Sequence, residues 1–257
     1  MNPYTQNLNR IEFVITLACT GRCKHCSEGD HIGCHEHIDT AAAVQLVRDV
    51  TSNYPIRSLM TFGGEPLLHP DTVCSIHQAA KEAGIPKRQL ITNGFFSKDP
   101  AKIQAVAQQL ADSGVNDLLL SVDAFHQETI PLEPVKTFAM AVKNAGIPLR
   151  IQPAWLVSPE DPNPYNQETI RLLKEFEQLS IAASDGNIIF PSGNAVKYLS
   201  EYFTDDNTPM DPYVEDPTDV RTLSVGPNGD VDLLGGNIYH THIEEMIKNY
   251  IPKDVIL

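Results

Sequence analysis

Short apolar runs recur along the chain, and the stretches between them carry apolar residues three and four positions apart. The runs are IEFVITL (11–17), RSLMTF (57–62), RQLIT (88–92), DLLLSV (117–122), PLRIQPAWL (148–156) and NIIF (187–190). Apolar on successive rather than alternate positions, they read as parallel strands buried on both faces. Between them, Val44, Val47, Val50 and Tyr54 form one stripe, Ile103, Val106, Ala107 and Leu110 a second, and Val135, Phe138, Ala139 and Val142 a third. That spacing belongs to helices with one buried face. Gly84, Gly114 and Gly146 each follow a helical stretch, where a left-handed residue ends a helix, and AGIP occurs at both 83–86 and 145–148. A repeated helix–glycine–strand unit predicts an α/β fold whose right-handed crossovers wind the strands into an open sheet or a barrel.

Three stretches depart from this rhythm. PAWLVSPEDPNPYN (153–166) is proline-rich and follows the fifth strand at its C-terminal end, where α/β folds carry functional loops. TDDNTPMDPYVEDPTDV (204–220) is acidic and poor in core residues, and reads as a solvated surface loop. SVGPNGDVDLLGGNIYHTHIEEMI (224–247) reads as a hairpin with an Asn-Gly turn followed by a short helix. The expected division is a main domain over 1–200 and a C-terminal extension over 201–257.

The net charge of −14 disfavours a nucleic-acid partner, since phosphate binding draws its affinity from clustered Lys and Arg. The opening MNPYTQNLNR has no apolar core of a secretory signal, and no stretch approaches the roughly 18 apolar residues of a membrane span. The expectation is a soluble, cytoplasmic protein without a membrane partner. Of five cysteines, three fall within eight residues, which is metal-ligand spacing rather than a disulfide framework.

Those three, Cys19, Cys23 and Cys26, form a C-x3-C-x2-C run just after the first strand. A structural zinc site wants four closed ligands. Three thiolates suit a four-iron four-sulfur cluster with one iron left open to a chelating small molecule. Phe62-Gly63-Gly64-Glu65-Pro66 ends the second strand, with two glycines that let the backbone approach a ligand and a carboxylate able to take protons of an ammonium group. Together the triplet and GGEP resemble the radical S-adenosylmethionine (SAM) superfamily. The resemblance covers residues 11 to about 200 and implies a partial (β/α)6 barrel.

The resemblance further implies one 4Fe-4S cluster on Cys19, Cys23 and Cys26, SAM as cofactor, and an electron donor such as flavodoxin or ferredoxin. It places His25 near the adenine, Gly63, Gly64, Glu65 and Pro66 at the amino group, and Asn93, Ser121 and Asp123 at the ends of strands three and four toward SAM. Arg150 or Gln152 would serve the methionine carboxylate, and Ser192 in Pro191-Ser192-Gly193-Asn194 would lie by the adenine. His126 and Glu128, just past strand four, are candidates for substrate positioning or proton transfer. Cys34 lies in HIGCHEH with His31, His35 and His37; it is a candidate cavity thiol, the alternatives being a second metal site and a His-rich surface loop. Cys74 reads as a small core residue.

The C-terminal hairpin and helix resemble a SPASM or Twitch extension of peptide-modifying radical SAM enzymes, though no cysteine follows Cys74 to hold an auxiliary cluster. The expected activity is hydrogen abstraction from a peptide or protein residue. A small-molecule substrate, glycyl-radical formation in a partner, and a non-catalytic iron-sulfur carrier are the alternatives.

Overall fold

The computed structural model describes residues 2–204 and 208–253; Asp205, Asp206 and Asn207 of the acidic loop lie outside the described residues. Strands and helices follow the expected alternation: β1 (Arg10–Val14), α1 (Thr40–Asn53), β2 (Ser58–Phe62), α2 (Pro70–Glu82), β3 (Lys87–Thr92), α3 (Pro100–Ser113), β4 (Asp117–Ser121), α4 (Ala124–Gln127), α5 (Leu132–Asn144), β5 (Leu149–Gln152), β6 (Ala154–Trp155), α6 (Pro164–Glu177), β7 (Asn187–Ile188), α7 (Gly193–Tyr198), β8 (Thr222–Val225) and α8 (Ile243–Asn249). The main sheet runs β5-β4-β3-β2-β1-β8, every pair parallel. It is the mostly parallel, helix-covered sheet of a partial barrel, and no closed barrel forms among the described residues.

Because side chains alternate along a strand, each strand sends one set to the helices and the other to the opposite face. Ile11 and Phe13, Leu59, Leu90, Leu118 and Leu120, and Ile151 are buried in one core with Val47 and Val50 of α1, Ile76 of α2, Val106 of α3 and Phe138 and Val142 of α5. Each such side chain stabilises the fold by about 1.5–3 kcal/mol on burial. The opposite face is polar toward the strand starts. Arg10 bonds Glu12 (2.5 Å) and Gln89 (3.2 Å), Gln89 bonds Asp117 (2.9 Å), and Asp117 takes Arg150 (2.8 Å). The helix ends follow the glycines as expected, with Gly84, Gly114 and Gly146 at φ 77°, 94° and 78°.

The sixth strand is present but broken. Pro153 has no N–H to continue the ladder and separates β5 from β6. The facing segment of the chain bends at the same level: Ile151 bridges Ala183, and pairing resumes as Ala154↔Asn187 and Trp155↔Ile188. Gly186 (φ 80°) makes the bend, since a Cβ there would lie 2.5 Å from the Pro153 carbonyl. The C-terminal hairpin is shortened to one antiparallel bridge, Val225↔Val231, around the Pro227-Asn228-Gly229 turn. Its first limb, β8, joins the main sheet alongside β1 over Arg10–Phe13, and α8 packs Ile243, Met246 and Ile247 into the same core.

Candidate active site

At the C-terminal ends of β1 to β4 the chain encloses a cavity of about 240 Å³, lined by Cys19, Cys23, His25, Cys26, His31, Gly63, Gly64, Asn93, Ser121 and His126, among others. β1 ends at Val14, and the next backbone N–H, from Ile15, still bonds Phe62 (2.8 Å). Thr16 then turns its hydroxyl to Glu36 O (2.6 Å), and the chain leaves the sheet as the cysteine loop. Two segments clamp that loop. On one side Gly64 N–H donates to Thr16 O (2.7 Å) and Glu65 N–H to Ala18 O (2.8 Å). A Cβ at Gly64 would lie 2.3 Å from Ala18 O, so the Gly-Gly pair is needed for close approach to the cysteine loop itself. On the other side Asn194 donates to Cys26 O from its N–H (2.9 Å) and to Cys23 O from its side chain (3.1 Å), while Ser192 Oγ donates to Ser27 O (3.1 Å).

Each sulfur faces a side chain from outside the triplet. Asn93 Nδ2 lies 3.6 Å from Cys19 Sγ, which also accepts from Gly21 N–H (3.3 Å). His31 Nε2 lies 3.1 Å from Cys26 Sγ. A His126 ring nitrogen, a His25 ring nitrogen and Cys23 Sγ lie within 4.8 Å of one another. His126 Nδ1 meets both oxygens of Asp123 at 2.9 Å, which leaves Nε2 for the sulfur. Burial pushes the Cys19 thiol up to about 11 and the Cys26 thiol upward as well. Thiols so placed stay protonated at neutral pH unless a metal supplies the compensating charge, and partners aimed at sulfur suit a bound thiolate. The site therefore fits an iron-sulfur cluster. His25 stands between Phe125 and His126, with ring centroids 5.0 and 4.9 Å away, and its buried Nδ1 has no protein partner. Burial pushes it down to about 4, so it presents a neutral ring to the cavity.

Several of the expected site residues have protein partners of their own. Glu65 is fully buried and accepts from Thr92 Oγ1 (2.7 and 2.9 Å), Leu67 N–H (2.8 Å) and Asn93 N–H (2.9 Å), and it does not itself line the cavity. Burial pushes it up to about 7 against those hydrogen bonds. Pro66 is buried at the start of a short 3-10 turn (Pro66–Leu68). Asp123 is also fully buried, accepting from Ala154 N–H (3.1 Å) and His126 N–H (2.9 Å); its place is behind His126. Burial alone would raise its pKa, but the facing His126 lowers it to about 2. Conversely, burial would lower His126, yet Asp123 and Cys23 hold it well above its ordinary value.

Arg150 is exposed and spent on Asp117 near the strand starts, and Gln152 is spent on Ser184 (2.6 Å) and Asn187 (3.2 Å). Neither lines the cavity. Ser192 braces the cysteine loop instead of lining the cavity. Glu128 pairs with Lys24 (2.8 Å), which also bonds Tyr165 (3.3 Å), so it ties the loop to α4 rather than facing the cavity. Cys34 is absent from the cavity lining, and His37 beside it stacks on His69 at 4.0 Å. Cys74 is buried in the core, as expected. Phe190, Ile189 and Tyr213, not singled out from sequence, line the outer part of the cavity, and Tyr213 bonds Asn187 (3.2 Å). No local periodicity marks them, because tertiary folding of 208–220 brings Tyr213 there.

The sequence profile of the radical SAM superfamily matches residues 13–148. Among curated relatives, the chain is 25% identical over 127 residues to a probable GTP 3′,8-cyclase of Methanocaldococcus jannaschii, covering 49% of this chain and 40% of that protein. It is 30% identical over 133 residues to a probable GTP 3′,8-cyclase of Saccharolobus islandicus, covering 50% and 39%. The chain thus spans about two fifths of the length of the curated relatives it matches. Among solved structures, anSMEcpe with bound AdoMet superposes with a TM-score of 0.60 at 14% identity, covering 94% of this chain and 77% of that one. SuiB of Streptococcus suis bound to its precursor peptide SuiA gives 0.60 at 13%, covering 95% and 65%. BtrN in complex with AdoMet and 2-DOIA gives 0.53 at 15%, covering 94% and 82%. At these identities the likeness is one of fold.

Proposed function

The chain belongs to the radical SAM superfamily, and from that membership we propose that it is a peptide- or protein-modifying enzyme that abstracts a hydrogen atom from a residue of its substrate. The superfamily's cofactors are a 4Fe-4S cluster and SAM, and Cys19, Cys23 and Cys26 are the residues that would hold the cluster. When bound, they would supply hydrogen-atom abstraction through one-electron reductive cleavage of SAM to methionine and a 5′-deoxyadenosyl radical, the electron coming from a flavodoxin- or ferredoxin-type donor. The chain's own residues then bind and orient. Ser121 and the backbone of Gly63 and Gly64 line the side of the cavity next to the cysteines, and His25 offers a neutral ring for an adenine to lie against.

The observation that carries the peptide reading is the character of the cavity wall. Its titratable members are cysteines, histidines, Tyr213 and Glu28, and the outer wall is Ile188, Ile189 and Phe190. Among the described residues no Lys or Arg lines it to meet a triphosphate, whereas an uncharged side chain or backbone Cα fits such a wall. The superpositions on proteins solved with peptides support the same reading, while the GTP 3′,8-cyclase relatives favour a nucleotide.

The test is anaerobic: the reconstituted protein with dithionite and SAM is followed for 5′-deoxyadenosine, beside the Cys19, Cys23, Cys26 to Ala triple variant. Peptides deuterated at Cα and at side-chain carbons are then supplied, and deuterium in the 5′-deoxyadenosine is expected. Formation that persists in the triple variant would overturn the ligand assignment. Deuterium transfer from labelled GTP, and from none of the peptides, would overturn the peptide reading.

A further inference from the structure

Taking Cys19, Cys23 and Cys26 as the cluster ligands, as proposed above, we propose that Asn93 is a positioning residue for the cluster, donating a hydrogen bond to the Cys19 sulfur that raises the cluster's reduction potential. Asn93 sits just beyond β3 and is only 4% exposed. Its orientation is fixed on both sides. Oδ1 accepts from Phe95 N–H (2.8 Å), and Nδ2 donates to Thr20 Oγ1 (3.2 Å) and points to Cys19 Sγ at 3.6 Å. A flipped carboxamide would set its NH2 against the Phe95 N–H, so the backbone selects the rotamer that turns the donor to sulfur. The main chain is held too, since Asn93 N–H donates to buried Glu65 (2.9 Å).

A donor aimed at a cluster sulfur places the positive end of its dipole against charge that grows on reduction. The reduced cluster carries one more negative charge than the oxidised one, so the donor stabilises it more and moves the potential upward. The neighbourhood is buried, which strengthens the interaction. A carboxamide gains and loses no proton in the working range. Its contribution is therefore constant with pH. The step it favours is transfer of one electron from a reduced flavodoxin or ferredoxin to the oxidised cluster: the carrier is oxidised by one electron and the cluster reduced by one.

The test uses the reconstituted protein and two variants. Asn93→Asp keeps an acceptor for Phe95 N–H and replaces the donor with oxygen; Asn93→Ser keeps a short polar side chain that does not span to sulfur, and serves if the carboxylate disrupts folding. Iron and sulfide content are measured first, then the midpoint potential by anaerobic titration followed by electron paramagnetic resonance. At wild-type iron content both midpoints should move negative, the Asp variant by roughly a tenfold change in the oxidised-to-reduced ratio at fixed poise, 59 mV for one electron. Unchanged midpoints at full iron content would overturn the proposal, and so would loss of iron from both variants, which would make Asn93 purely structural. Wild-type protein that takes up no iron would instead overturn the ligand assignment on which the proposal rests.

Discussion

Replacing Glu65 with Gln should change how stability depends on pH, and the direction follows from the partners of that carboxyl group. In the wild type Oε1 accepts from Leu67 N–H and Oε2 from Asn93 N–H, both backbone donors that cannot turn away. A glutamine has one acceptor oxygen, so one of these buried N–H groups loses its partner, at a cost of about 1–3 kcal/mol. The wild type carries a different penalty. Its carboxyl is pushed from 4.5 up to about 7 by burial, so folding favours the protonated form. A raised folded value means that the stability tied to this group is fully present below 4.5 and is lost as pH rises through about 7. That interval, at roughly 1.36 kcal/mol per pH unit, amounts to about 3 kcal/mol. Gln carries no such slope. At pH 5 the variant should be less stable by about 1–3 kcal/mol, and by pH 9 the gap should close or reverse. Urea unfolding at matched cluster content across this range measures it. Parallel curves, or a gap that widens with pH, would refute the reasoning.

Gly64→Ala should lower the thermal midpoint and the iron bound per chain, because its Cβ would sit 2.3 Å from Ala18 O and 2.7 Å from Leu17 O, backbone atoms that yield only by moving the cysteine loop. Overpacking of this kind costs about 1–3 kcal/mol, read by calorimetry and iron assay. Arg150→Ala should leave SAM binding unchanged by equilibrium dialysis and cost less than about 1 kcal/mol, because its ion pair with Asp117 is partly exposed and Lys87 also faces that carboxylate at 3.4 Å. Weakened SAM binding would return Arg150 to the cofactor site.

What the sequence made legible and what it did not divide along a physical line. Strand runs and helical stripes report burial on a local element, and so the order β1 to β5 and the left-handed Gly84, Gly114 and Gly146 could be read directly. The cysteine triplet and GGEP were legible because both are contiguous. The protein partners of Glu65, Asp123 and Arg150 were not legible, because a charged residue near a strand end looks the same in sequence whether it meets a ligand, a buried backbone N–H or another side chain. Two of the three sulfur partners come from elsewhere in the chain, Asn93 after β3 and His126 on α4, and no local pattern connects them to the triplet. The Asn228-Gly229 turn announces a reversal of the chain but cannot tell that its first limb pairs in parallel with β1.

That last pairing bears on how the chain is made. β1 leaves the ribosome before the other strands of this sheet, and the cysteine loop follows it at once, yet the outer edge of β1 is covered by β8, which begins at Thr222. At synthesis rates of about 5–20 residues per second, β1 waits on the order of 10–40 s for this neighbour. During that interval its unpaired N–H and C=O groups and the three thiols beside them are exposed together. An edge of this kind is a template for pairing with another chain. Protein produced faster than β8 can close the sheet is therefore expected to be lost to aggregation through β1, with the cysteine loop the part most open to oxidation while it waits.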